Sequence, residues 1–124
     1  METEKSFVAD NGGLVGCQEF LASICDSPKP QIIMDEIVSN IVRCSEATKF
    51  TIRCEHRDTE GVVSMVFIDD GKAFDPTKDA KEPDVTASIE DRKIGGLGLF
   101  MVRKMSKTLS YRRENNCNIL SVTL

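Results

Sequence analysis

The sequence predicts an α+β fold, a two-layer sandwich whose antiparallel or mixed, mostly antiparallel sheet is covered on one face by helices. Three observations predict it. Apolar residues recur at helical spacing in two neighbouring segments between positions 14 and 44. Segments 49–57 and 62–68 have strand character and are joined by a short turn sequence, and a second such pair closes the chain. Helix and strand signals therefore come in clusters rather than in strict alternation. The 124 residues make a single domain, 1–124, large enough for one core. Repeats, low-complexity segments and linkers are absent from the pattern.

In order, Ser6-Phe7-Val8-Ala9 reads as a short strand, and Asn11-Gly12-Gly13 is expected to break it. Over residues 14–25, Leu14, Cys17, Leu21, Ile24 and Cys25 fall at helical spacing. Asp26-Ser27-Pro28-Lys29-Pro30 reads as a break, because proline biases the residue before it away from helix. Residues 31–44 give the strongest helix signal, with Ile33, Met34, Ile37, Val38, Ile41 and Cys44 on one stripe. Residues 49–57 alternate, with Phe50, Ile52, Cys54 and His56 on one face. Asp58-Thr59-Glu60-Gly61 suits a turn into a more apolar strand, 62–68, which should pair antiparallel with the first. Residues 71–94 show little periodicity, and a loop of that length in a compact domain is usually functional, such as a lid. Leu99–Met105 then looks helical, and two alternating segments around Glu114-Asn115-Asn116 form a last hairpin.

Composition narrows the function classes. Hydrophobic residues make up 40% and charged residues 29%, as in a soluble globular protein, and a net charge of −4 argues against nucleic acid as the main partner. No stretch reaches the roughly 18 apolar residues of a membrane helix. The segment METEKSFVADNGG lacks the apolar run of a secretory signal, so a cytoplasmic protein is expected. The five cysteines, 17, 25, 44, 54 and 117, contain no close pair, and His56 is the sole histidine. That spacing excludes a zinc site and favours reduced, packed thiols.

Three stretches offer chemistry. Glu36, Asn40 and Arg43 stand at i, i+4 and i+7, on one helical face beside the apolar stripe. A carboxylate and a carboxamide one turn apart can hold a water, a hydroxyl or a hydrated magnesium ion; equally, many solvated helix faces look like this. Asp69 and Gly71, at the end of the apolar strand, put a carboxylate beside open backbone, suited to the exocyclic amine of adenine or simply to a turn. Gly95, Gly96 and Gly98 open a helix, where unpaired N–H groups and the helix dipole favour phosphate. The stretch is not G-x-G-x-x-G, and no Walker lysine follows.

Taken together and in this order, these stretches resemble the GHKL ATPase superfamily. Glu36-Ile37-Val38-Ser39-Asn40 looks like its N box, Asp69-Asp70-Gly71-Lys72-Ala73-Phe74-Asp75-Pro76 like its first glycine box, and Gly95-Gly96-Leu97-Gly98-Leu99 like its second. D-D-G-x-x-F-D-P, G-G-L-G-L-F-M-V-R-K-M and a closing N-x-L-x-V-T resemble the anti-sigma factor, or switch-protein serine kinase, branch. The likeness covers residues 30–124 well and the first thirty loosely. It implies a two-layer sandwich of the GHKL type that uses ATP and Mg²⁺. Within it, Glu36 would be the general base, Asn40 the magnesium ligand and Asp69 the adenine acceptor. Gly71 would spare room for the ring, and Gly95, Gly96 and Gly98 would wrap the phosphates under a lid at about 77–94. Arg92 and Lys93 of that lid would reach phosphates or stay solvated. Ile41 and Cys44 depart from the family, which often has alanine and histidine there, and neither replaces a residue with assigned chemistry.

The resemblance implies a serine/threonine protein kinase that acts as an anti-sigma factor. It would phosphorylate a STAS-domain antagonist, bind a sigma factor and form a homodimer. The alternative is an ATP-dependent partner-binding module without phosphotransfer. The catalytic domain of a two-component histidine kinase is disfavoured, because there is no phospho-accepting histidine segment and His56 falls on a strand.

Overall fold

A computed structural model describes residues 1–57, 61–79 and 96–124. Its elements run β1 (Glu2–Val8), α1 (Asn11–Ile24), α2 (Pro28–Cys44), β2 (Lys49–Arg57), β3 (Gly61–Asp69), α3 (Pro76–Asp79), α4 (Gly96–Met105), β4 (Thr108–Glu114) and β5 (Cys117–Thr123). The sheet order is β1-β2-β3-β5-β4, and every pairing is antiparallel, so the mixed component is not found among the described strands. None of the described helices is long and apolar enough to cross a membrane.

Two helices begin earlier than their sequence breaks suggest. Asn11-Gly12-Gly13 forms the first turn of α1 instead of interrupting the chain, because the Asp10 carboxylate caps it and accepts from Gly13 N at 2.8 Å. Helix α2 starts at Pro28, within the expected break. Both prolines lie in its first turn, where N–H groups have no helical partner and none is lost. Helix α4 also starts early, at Gly96, which places Gly98 inside its first turn rather than ahead of it. Gly95 and most of the expected lid, with Arg92 and Lys93, lie outside the described residues, as do positions 58–60 of the expected β2–β3 turn.

Helix α2 supplies the centre of the core. Ile33, Met34, Ile37, Val38 and Ile41 are buried against Phe50 and Ile52 of β2, Met65 and Phe67 of β3, and Leu120 and Val122 of β5. Each such side chain contributes about 1.5–3 kcal/mol on leaving water. Cys17 and Cys54 belong to this core, and burial pushes both thiols up to about 12. Asn115 and Asn116 take positive φ of 53° and 61°, which suits the tight two-residue turn between β4 and β5. His56 pairs with Val62, at the opposite end of β2–β3 from the Phe50–Asp69 pair.

Candidate functional site

A narrow cavity of about 30 Å³ lies between α2, the end of β3, the segment after it, α4 and the β4–β5 hairpin. Its walls are largely apolar, with Ile37, Ile41, Phe67, Leu99 and Leu120, and polar groups enter from Asn40, Asp69 and Asn118. This is the usual make-up of a small-molecule pocket, apolar area with a few fixed polar groups.

Asn40 is 6% exposed. Its amide nitrogen donates to the Glu36 carbonyl at 2.9 Å, which fixes the amide's orientation. The amide oxygen has no partner among the described residues, so the cavity wall carries an unpaired buried oxygen acceptor. A hard oxygen donor of this kind fits magnesium, which binds through few protein ligands and keeps waters or phosphate oxygens in the rest of its shell. Among the described residues, no three His, Cys, Asp or Glu side chains gather to hold a metal by themselves.

Glu36 stands one turn before Asn40, outside the cavity lining. Its carboxylate lies over the first turn of α4: a Cβ built on Gly98 would meet Glu36 Oε2 at 1.9 Å. Gly98 is therefore glycine because Glu36 occupies the space of its side chain. The same contact puts the carboxylate beside the N-terminal, positive end of α4. The structure thus brings Glu36, Asn40 and Gly98 to one edge of the cavity. It leaves Arg43 aside: that side chain is exposed and donates to the Ser39 carbonyl at 3.2 Å.

The two adjacent aspartates separate cleanly. Asp69 is 6% exposed and lines the cavity. Its Oδ1 accepts from Gly71 N at 2.9 Å and from Asn118 Nδ2 at 3.0 Å, and its Oδ2 has no partner among the described residues. Burial raises its carboxyl above the ordinary range, opposed by the hydrogen bonds from Asn118 and Gly71. Asp70 is exposed and turns toward the start of β2. It accepts from Thr48 N at 2.7 Å, from Lys49 N at 3.1 Å and from the Thr48 hydroxyl, and that hydroxyl above all holds its carboxyl below the usual range.

Gly71 has a packing reason of its own. A Cβ there would lie 2.3 Å from the Ser45 carbonyl oxygen and 2.7 Å from the Ser45 hydroxyl. The glycine lets the strand-end turn pack against the C-terminal end of α2, where Lys72 N donates to Ser45 O at 2.7 Å, and Gly71 is not part of the cavity lining.

Asn118, Tyr111 and Arg113 carry no role in the sequence reading, yet all three are tied to the Asp69 turn. The signal for Asn118 was present. On β5 it shares the inward face with Leu120 and Val122, so a polar residue stands at an apolar position.

The family model for the histidine kinase-like ATPase domain matches residues 17–124. The chain is also similar to the serine/threonine-protein kinase BtrW of Bordetella bronchiseptica, with 35% identity over 91 residues. That alignment covers 72% of this chain and 63% of the relative, so the chain spans less than two thirds of the relative's length.

Proposed function

Because the chain belongs to the histidine kinase-like ATPase domain family, we propose that it binds Mg²⁺-ATP in this cavity and phosphorylates a serine or threonine hydroxyl on a protein partner. In this reading the kinase is an anti-sigma factor and its substrate a STAS-domain antagonist. A sigma factor is its other partner, and the working form is a homodimer in the cytoplasm. The observation that carries the proposal is the Glu36 carboxylate against the first turn of α4, one helical turn from Asn40, whose oxygen has no partner among the described residues, beside a pocket holding Asp69.

Each residue has a task that its surroundings support. Asp69 Oδ2 accepts from the amino group of adenine, while Ile37, Ile41 and Leu99 enclose the ring. The backbone N–H groups opening α4 favour the phosphates. Asn40 supplies one oxygen to magnesium, which when bound neutralises phosphate charge. Glu36 takes the proton of the attacking hydroxyl as its oxygen bonds to the γ-phosphorus and ADP leaves.

The test is transfer of label from γ-labelled Mg²⁺-ATP to the cognate antagonist. Glu36→Ala should abolish transfer with ATP still bound, and Asn40→Ala should weaken binding only when magnesium is present. Transfer that survives Glu36→Ala removes the base assignment. ATP-dependent capture of the partner without label on it would instead support a binding module.

A further inference from the structure

Asn118 is 4% exposed, and its amide is used completely. Its Oδ1 accepts from the Tyr111 hydroxyl at 2.5 Å, from Arg113 Nη1 at 3.1 Å and from Phe74 N at 3.2 Å. Its Nδ2 donates to Asp69 Oδ1 at 3.0 Å and to the Lys72 carbonyl at 2.8 Å. Exchanging oxygen and nitrogen would set an N–H against two groups that can only donate, Arg113 Nη1 and Phe74 N, so the network favours one orientation. Arg113 adds a second tie, from Nη1 to the Gly71 carbonyl at 2.7 Å. One amide on β5 thus binds β4, the end of β3 and the segment from Lys72 to Phe74.

This matters for Asp69 Oδ2, which has no partner among the described residues. A carboxylate at the end of a strand can rotate and present either oxygen. Here Asn118 Nδ2 and Gly71 N both hold Oδ1. The buried Oδ2 is what remains for a ligand.

We propose that Asn118, oriented by Tyr111 and Arg113, is a positioning residue that aims Asp69 Oδ2 at the base and so selects a purine with an amino group at its six-membered edge over one with a carbonyl there. The inference rests on the nucleotide reading above. An oriented acceptor gains a hydrogen bond from adenine's amine and meets the carbonyl of guanine with lone pair against lone pair. A freely rotating carboxyl, or a protonated one, discriminates less. Asn118 also supports the charged form, since its bond opposes the effect of burial on Asp69. Among the described residues, the other ionisable groups near Asp69 are Asp70 beside it and Arg113 and Tyr111 on β4. Helices α2 and α4 present Ile37, Asn40, Ile41, Ser45 and Leu99 to the cavity, none of them ionisable in the working range.

The experiment measures ATP and GTP affinity by calorimetry from pH 5 to 8 on the full chain, wild type against Asn118→Leu and Arg113→Met. Asn118→Leu should weaken ATP binding about tenfold or more and shrink the ATP-over-GTP preference. It should also move upward the pH below which ATP affinity declines. Arg113→Met changes an exposed side chain and should produce smaller shifts in the same directions. If Asn118→Leu lacks a cooperative thermal transition, Arg113→Met decides alone. Weaker ATP binding with the preference and the pH midpoint unchanged would mean a purely structural role and overturn the proposal, as would unchanged values throughout. Failure of the wild type to bind ATP would overturn the nucleotide reading itself.

Discussion

Gly98→Ala separates the position of Glu36 from the stability of the fold. The added Cβ would stand 1.9 Å from Glu36 Oε2 and 2.7 Å from its Cδ, whereas ordinary contact begins at 3.4 Å, so the oxygen must retreat by about 1.5 Å. The carboxylate ends a flexible side chain, so it moves and the backbone does not. Alanine is also about 1 kcal/mol better than glycine inside a helix, so the variant should melt no lower than wild type. If Glu36 is the base, displacement of about 1 Å costs on the order of a hundredfold in rate, or about 2.7 kcal/mol of barrier. The assay is single-turnover transfer from γ-labelled Mg²⁺-ATP to the proposed antagonist at saturating nucleotide. Transfer by Gly98→Ala within twofold of wild type would refute the reasoning.

Other consequences follow from the same geometry. Gly71→Ala drives a Cβ to 2.3 Å from a backbone carbonyl, which cannot rotate aside, so a loss of about 1–3 kcal/mol is expected from urea unfolding. Asp70→Ala removes three acceptor contacts near the start of β2 and, with solvent screening an exposed carboxylate, should cost about 1 kcal/mol or less at neutral pH. The folded state holds the Asp70 carboxyl below its ordinary 3.8, so this contribution is present above that pH. The gap between variant and wild type in acid unfolding should narrow as pH falls below it. Cys17 and Cys54 work in the opposite direction: unfolded thiols lose protons near 9.0 and the folded ones only near 12, so stability should decline as pH rises through that window. The double variant Cys17→Ala/Cys54→Ala should flatten that slope in alkaline unfolding curves.

Much of this architecture was legible from periodicity. The α2 stripe, the β2 and β5 alternations and the apolar run of β3 name most of the core, because burial leaves its pattern in the sequence. Helix starts were less legible. Pro28, Gly12 and Gly96 are poor interior residues but acceptable in a first turn, and residue type alone does not distinguish the two. At the site, Glu36, Asn40 and Asp69 stood out as polar groups at marked positions. The reasons for Gly71 and Gly98 did not. Ser45 is 26 residues before Gly71, and Glu36 is 62 before Gly98, and only the fold brings each pair together. Tyr111 and Arg113 were hidden by the same distance, whereas Asn118 was marked by its wrong polarity for an inward strand position.

The strand order sets a sequence of events for a growing chain. β5 lies between β3 and β4, so β3 has an open edge until the final strand has been made. Asp69 waits 49 residues for the Asn118 amide. A nascent chain released up to Lys107 would carry both aspartates and the whole of α2, but only the Gly71 N–H to hold Asp69. Under the nucleotide reading proposed above, an incomplete chain would bind ATP more weakly, and a ribosome-bound intermediate would reach full affinity only when its last hairpin emerges.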